Sequence, residues 1–410
     1  MNDSNAIDFT EVGLEGMTPQ QAADAVIRQA SKLTASDLFV LTEEERAVVA
    51  MRRLGTIETI ARVSADQGRQ LINLMKAAAG MDLAERRRPL DGRMIYENGD
   101  LKLDLRINTI PTLFGEDMTC RLLDRKMSLM KLGQLGMSSH EMALLTAMLA
   151  SPSGLILVTG PTGTGKTTTL YAALQQLNDG TRKINTLEDP IEYAVPGLRQ
   201  SQVNPRLELN FADLLRNVLR QAPDVIMVGE IRDEETATTA VRAASSGHLV
   251  LATLHAPVAS GAVQSMLALG AHPYFLASCL LGVVAQRLIR VLCPACRVKY
   301  DISDSPGTFA EIETLLNGED GKAIYGPGGC GECRNGGYSR RTGLFEVMPV
   351  NRDIRHLIVE GRPSKELEDR AIAAGMIEFH RAALLKVAKG VTSTEEMMRS
   401  VPSEYLGLDE

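Results

Sequence analysis

The stretch Leu155-Ile156-Leu157-Val158, followed by Gly160-Pro161-Thr162-Gly163-Thr164-Gly165-Lys166-Thr167, decides the fold of this chain. The first four residues are wholly apolar and bounded by Gly154, as expected of a central parallel strand buried on both faces. Beyond the glycines, Leu170, Leu174 and Leu177 recur at helical spacing over Thr168–Leu177. Three glycines let the backbone curl so that successive N–H groups point at phosphate oxygens. Lys166 is then placed to reach the β/γ-phosphates and the Thr167 hydroxyl to ligate Mg²⁺. The helix opening at Thr168 turns its unpaired N–H groups and positive dipole end toward the same phosphates. Residues Gly160 to Thr168 therefore read as a cradle for nucleoside triphosphate.

Working outward, the surrounding residues alternate between strand and helix patterns, which predicts an α/β domain with a mostly parallel sheet and its ligand at the carboxyl ends of the strands. Three further strands are expected. Lys183–Leu187 runs into Glu188-Asp189-Pro190, Val225–Val228 into Gly229-Glu230, and Leu249–Leu254 into His255. One crevice would then collect a lysine, two or three carboxylates and an imidazole. Phosphoryl transfer needs charge neutralisation and an oriented nucleophile rather than covalent chemistry. A common pattern places Asp-Glu after the apolar strand; here Gly229 occupies the Asp position, leaving Glu230 as that strand's carboxylate. We assign Glu188 as the water-activating base and Glu230 as associated with Mg²⁺, although the residues alone leave the order of the two glutamates open. His248 and His255 lie seven residues apart, about 23 Å along an extended strand, and on opposite faces. His255, at the carboxyl end, is the candidate γ-phosphate sensor, and His248 is expected to be structural or at a subunit boundary.

Composition narrows the class. The chain has 410 residues, 44% hydrophobic and 23% charged, enough for two or three ordinary globular domains. Aromatic residues are 4% and the net charge is −7, which argues against a nucleic-acid partner. The basic cluster Arg86-Arg87-Arg88 with Arg93 is expected to be a solvated or subunit-facing patch. The N-terminus lacks a signal-peptide pattern. The longest near-apolar run, Phe275–Ala285, is about 11 residues, short of the ~18–20 that span a bilayer. A cytoplasmic protein, or one peripheral at the cytoplasmic side of a membrane, is expected.

Four of six cysteines are patterned: Cys293-Pro294-Ala295-Cys296 and Cys330-Gly331-Glu332-Cys333. Two CxxC knuckles in a reducing compartment read as a four-sulfur, structural Zn²⁺ site. Cys120 and Cys279 are expected to be buried as small hydrophobes.

The expected organisation is an acidic tail (1–18), an α+β module (19–130) and a domain from 131 to 410. The module carries helices over Pro19–Lys32 and Gln67–Ala79 and strands over Arg46–Leu54 and Asp100–Ile107. A hinge falls around Met127–Met137. The larger domain includes the cysteine segment 292–340 and a helical tail from about Asn351.

Taken together, these motifs resemble the hexameric secretion ATPases that power type II secretion and type IV pilus assembly. The resemblance covers roughly residues 20–400 and rests on GPTGTGKTTTLY (160–171), TLEDPIEY (186–193), LRQAPDVIMVGEIRDEETA (219–237) and SGHLVLATLH (246–255). Upstream it includes MDLAERRRPLDGR (81–93) and LRINTIPTLFGEDMTCRLL (105–123), and the four cysteines are similar to those of the secretion and assembly branch. It implies a RecA-type ATPase domain behind a smaller N-terminal module, a homo-hexamer, and an integral inner-membrane platform protein as partner, with ATP, Mg²⁺ and Zn²⁺ as cofactors. It also implies that Arg106 and Arg121 reach the γ-phosphate from the N-terminal module. Pilin or pseudopilin assembly would be the work done. Where relatives often carry a histidine and a glutamate, this chain has Ala35-Ser36-Asp37 followed by Phe39-Val40-Leu41. The further N-terminal domain by which many relatives dock is expected to be absent. A ring translocase for nucleic acid is the alternative that the acidic charge disfavours. A nucleotide-binding scaffold without turnover is disfavoured by intact Lys166, Thr167, Glu188 and Glu230.

Overall fold

A computed structural model describes residues 13–14, 16–124, 130–318 and 320–401. The expected acidic tail (1–18) falls mostly outside the described residues, though Leu14 is buried in the first unit's core, and the expected hinge falls outside them in part. The chain divides into two compact units, Met1–Ser128 and Leu129–Glu410.

Among the described residues the first unit is one antiparallel sheet with two helices. In chain order it comprises α1 (Pro19–Lys32), β1 (Asp37–Thr42), β2 (Arg46–Arg53), β3 (Thr56–Ser64), α2 (Ala65–Ala78), β4 (Leu90–Asn98), β5 (Leu101–Thr112) and β6 (Gly115–Asp124), with strand order β3-β2-β1-β6-β5-β4. Thr18 caps α1 through a reciprocal pair with Gln21, and Ser64 caps α2. One stripe of each helix is buried, Ala23, Val26, Ile27 and Ala30 on α1 and Leu71, Ile72 and Met75 on α2. These stripes meet the inward residues of the sheet, such as Leu38, Val40, Leu103, Leu105 and Ile107, in a single core. Gly68 permits the contact, because a Cβ there would lie 2.3 Å from the Ala47 methyl on β2.

The second unit is α/β. After a 3₁₀ turn at Leu132–Gln134 come α3 (Ser139–Leu149), β7 (Gly154–Thr159), α4 (Lys166–Leu177), β8 (Ile184–Glu188), β9 (Arg199–Gln202), α5 (Phe211–Val218), β10 (Val225–Val228), α6 (Glu234–Ser245), β11 (Leu249–Leu254), α7 (Ala259–Ala268), α8 (Pro273–Cys279) and β12 (Leu280–Leu292). A two-stranded ribbon, β13 (Val298–Asp301) and β14 (Ala323–Gly326), precedes β15 (Tyr338–Pro349). Four helices follow: α9 (Arg352–Val359), α10 (Ser364–Ala373), α11 (Phe379–Ala388) and α12 (Thr394–Ser400).

The seven-stranded sheet has the order β15-β12-β7-β11-β10-β8-β9, parallel except for the antiparallel edge strand β15. Its central strands are buried on both faces, as their uninterrupted apolar sequences require. Along β7, Leu155 and Leu157 enter one core with α5 to α12, while Ile156 and Val158 enter the other with α3 and α4. Residues of β10 and β11 alternate between the same two cores. Cys120 and Cys279 are buried, and desolvation pushes the Cys120 thiol up to about 12. The run Phe275–Ala285, read from sequence only as an apolar stretch, divides between α8 and the start of the long strand β12.

Candidate active site

The phosphate loop joins β7 to α4, and its shape follows from its glycines. Gly160 has φ +142, and a Cβ there would sit 2.4 Å from the Gln286 carbonyl oxygen on neighbouring β12. Gly165, the N-cap of α4, has φ +88 and supplies no side-chain cap. The first N–H groups of α4 are therefore left facing the loop's interior, which suits an anionic ligand. Thr167 and Thr168 are exposed on that first turn. Lys166 Nζ donates to the carbonyls of Gly160 (2.7 Å) and Pro161 (3.1 Å) and lies 3.5 Å from His255 Nδ1.

His255, directly after β11, bridges this lysine to a carboxylate: its Nε2 is 3.0 Å from Glu230 Oε1. The tautomer carrying its proton on Nε2 satisfies both contacts, donating to Glu230 and accepting from Lys166. Glu230 also pairs with Arg232, which lies 3.9 Å from Asp189. Burial pushes the Glu230 carboxyl up, but the Arg232 hydrogen bond and the charges of Arg232, His255 and Lys166 outweigh it, so it is held below the usual range. Burial lowers the Lys166 ammonium, opposed by Glu230. Gly229 is a packing requirement: a Cβ there would lie 2.9 Å from the Leu187 carbonyl oxygen, because β10 hugs β8 at this point.

Glu188 is the last residue of β8 and is buried. Its Oε1 accepts from Thr186 Oγ1 (2.6 Å) and Gln200 Nε2 (3.0 Å), and its Oε2 from the Tyr171 hydroxyl. The second unit thus brings Lys166, His255, Glu230 and Glu188 to the carboxyl ends of β7, β11, β10 and β8, neighbours in the sheet in that order. His248 sits at the opposite end of β11, where its Nδ1–H donates to the Ala243 carbonyl (3.0 Å).

Sequence reasoning missed several residues here. Gln286 of β12 is buried and donates from Nε2 to the Thr164 carbonyl inside the loop (2.7 Å). Its only signal was a polar residue directly after the apolar run Val283-Val284-Ala285. Tyr171, Gln200 and Arg232 lay within or beside quoted motifs without a role.

In the first unit, Arg106 of β5 and Arg121 of β6 are register partners, so they share one face of the sheet. The register extends to Arg93 on one side and to Asp37 and Arg52 on the other. Four arginines and one aspartate therefore form a row across five strands, on the face away from the helices. Asp37 lies 3.4 Å from Arg121 and 3.6 Å from Arg52, and Arg93 pairs with Asp104. Arg93 thus leaves the basic cluster expected from sequence: Arg86, Arg87 and Arg88 are exposed, whereas Arg93 faces a buried carboxylate.

The four patterned cysteines meet at the paired ends of β12 and β15, where Leu292 is opposite Tyr338. None of the four is joined in a disulfide, and their sulfurs lie within 4.8 Å of one another. Cys293–Cys330, Cys296–Cys333 and Cys330–Cys333 are separated by 3.9, 3.7 and 3.7 Å. A tetrahedral Zn²⁺ with ligands at about 2.3 Å has sulfur–sulfur edges of about 3.8 Å, so the donor set fits that ion. The Gly337 N–H donates to Cys333 Sγ (3.3 Å). Among the described residues no helix is long and apolar enough to cross a membrane.

Comparison with known proteins agrees with this chemistry. The family described as "Type II/IV secretion system protein" matches residues 15–399. The type II secretion system protein E of Dickeya dadantii is 42% identical over 381 residues, spanning 93% of this chain and 75% of that protein. The type II secretion system ATPase E of Vibrio cholerae is 40% identical over 376 residues, 92% of this chain and 74% of its own. Among solved structures, the pilus retraction motor PilT with bound ADP aligns at 25% identity with a TM-score of 0.61, over 93% of this chain and 97% of that one. The ATPase DotB of Legionella pneumophila shares the fold, with a TM-score of 0.71 at 22% identity over 96% and 98% of the two chains. With a phosphate loop, convergent lysine and carboxylates, and relatives matched over more than nine-tenths of its length, this chain belongs to the type II/IV secretion family and is a secretion ATPase.

Proposed function

We propose that this ATPase works as a homo-hexameric motor, cytoplasmic and peripheral at the inner membrane. It would drive assembly of pilin-like subunits through an integral-membrane platform protein. The observation that carries the reading is the Lys166–His255–Glu230 chain of contacts at the phosphate loop, in a protein 42% identical to a type II secretion protein E. Lys166 and the first-turn N–H groups of α4 bind the β- and γ-phosphates. His255, held between Lys166 and Glu230, reports whether the γ-phosphate is present. Glu188 orients the attacking water. Thr167 and Glu230 would hold Mg²⁺, which when bound neutralises phosphate charge. Arg106 and Arg121 are the proposed γ-phosphate contacts of the first unit, the link between hydrolysis and movement. Cys293, Cys296, Cys330 and Cys333 would hold a structural Zn²⁺, with no open position for chemistry.

Phosphate release is the direct test. Glu188→Gln is expected to abolish turnover while ATP still binds, and Arg106→Ala or Arg121→Ala to cut turnover with binding retained. Hydrolysis at the wild-type rate in Glu188→Gln would refute its role. Sedimentation with and without nucleotide tests the hexamer; a monomer at micromolar concentration with saturating ATP and platform protein present would refute it. ATPase stimulation by DNA in place of the platform protein would favour the translocase reading.

A further inference from the structure

Tyr171 lies five residues beyond Lys166 on α4 and is buried. Its hydroxyl donates to Oε2 of Glu188, while Oε1 already accepts from both Thr186 and Gln200. Each carboxylate oxygen offers two acceptor positions. Oε1 is therefore filled, and Oε2 keeps one position that Tyr171 does not use. The phenol hydrogen is committed to this bond, because a carboxylate oxygen can only accept. Burial, reinforced by the neighbouring carboxylate, raises the Tyr171 hydroxyl well above its ordinary value, which keeps it a donor. The ring itself is held edge-on against Tyr193, with centroids 6.1 Å apart. A buried hydroxyl that only filled space would be replaced by phenylalanine without loss; this one spends its single proton on the glutamate.

We infer that Tyr171 is a positioning residue for hydrolysis, turning the open side of Glu188 Oε2 toward the water that attacks the γ-phosphate. The inference rests on the reading of Glu188 as the water-orienting base. Lys166 and Tyr171 share one rigid helix, about 7.5 Å apart along its axis. The same element that grips the phosphates therefore sets the aim of the carboxylate, so the two stay in register when the domain moves.

The test is Tyr171→Phe in the full-length protein, assayed for phosphate release and ATP binding, alone and combined with Glu188→Gln. Losing a hydrogen bond to a charged group is expected to lower kcat about tenfold. KM and ATP affinity should stay within twofold and the melting temperature nearly unchanged. In the Glu188→Gln background, where turnover is already abolished, Tyr171→Phe should leave ATP affinity within twofold, since its effect runs through the carboxylate and not through the nucleotide. Thr186→Val, which removes a donor from Oε1 without altering side-chain volume, should give a smaller fall in kcat with the same unchanged KM. Wild-type kcat in Tyr171→Phe, or a rise in KM with a loss of stability but no kcat effect, would overturn the inference. Full turnover in Glu188→Gln would instead remove the reading beneath it, and that outcome needs no tyrosine variant to be recognised.

Discussion

Glu346 on β15 gives the sharpest quantitative expectation. It is 1% exposed, and its two oxygens each take one helix N-terminus: Oε2 accepts from Ala259 N–H at the start of α7, and Oε1 from Phe379 N–H at the start of α11, both at 3.0 Å. Neither helix has a side-chain cap of its own, so this carboxyl supplies from a third element what their N-cap residues do not. Burial, with the negative charges of Glu368 and Glu378 adding to it, outweighs the two N–H bonds and raises the carboxyl from 4.5 to about 7. Because the folded value lies above the unfolded one, the folded protein binds the extra proton between these limits. The stability contributed by Glu346 is full below about pH 4.5 and is lost as pH rises through 7. At about 1.4 kcal/mol per pH unit the difference is about 3 kcal/mol. Glu346→Gln removes the titration and leaves one N–H facing an amide NH₂, so the variant should be less stable at pH 5 by about 1–3 kcal/mol. Urea unfolding of both proteins from pH 5 to 8 measures the effect: the wild type should lose about 2.5 kcal/mol more than the variant across that range. Parallel pH profiles would refute the reasoning. The site also matters for function, since Ala259 opens the helix that directly follows His255 and Ala256–Val258.

Three further outcomes are expected. Removing Zn²⁺ by chelation, or substituting Cys330→Ser, should increase hydrogen exchange in 292–340 and lower the melting temperature while ATP binding persists, because structural Zn²⁺ contributes about 10–16 kcal/mol of apparent binding free energy; an unchanged melt would contradict this. Gln286→Leu leaves the Thr164 carbonyl inside the phosphate loop without its donor, a cost of about 1–3 kcal/mol, and should weaken ATP binding roughly tenfold or more by calorimetry. Lys76 is fully buried, its Nζ donating to Glu116 Oε1 (2.7 Å) and the Glu85 carbonyl (2.8 Å); Lys76→Met strands that carboxylate and should destabilise the first unit by about 3–5 kcal/mol in denaturant melts.

The second unit was largely legible because its buried strands are short, unbroken apolar runs ending in chemically apt residues. Val225–Val228 and Leu249–Leu254 are strands with the bounds that the sequence suggested. The strand expected over Lys183–Leu187 lies one residue later, at Ile184–Glu188, its end drawn in by the pairing of Glu188 with Gln202 on β9. What escaped was set by pairing between distant segments. No local pattern places Gln286 against Thr164, 122 residues apart, or Gln200 against Glu188. Strand β12 hid inside a mixed apolar run because helix and strand cannot be separated by periodicity when both faces are buried. The arginine row of the first unit was equally invisible. Arg52, Arg93, Arg106 and Arg121 are scattered over 70 residues of sequence and meet only through the strand register, which also gives Asp37 its place between two guanidinium groups.

Strand β12 runs from Leu280, past the phosphate loop at Gln286, to Leu292 beside the cysteines, with its register against β15 shifting only between Val291 and Leu292. An extended backbone is already at full stretch, so the span from Gln286 to Cys293, about 23 Å, behaves as an inextensible tie-rod. Length changes in the insertion at 294–329 would leave that spacing alone. A single residue added between 287 and 290 would exchange inside for outside along the distal segment and pull Arg290 off Glu396.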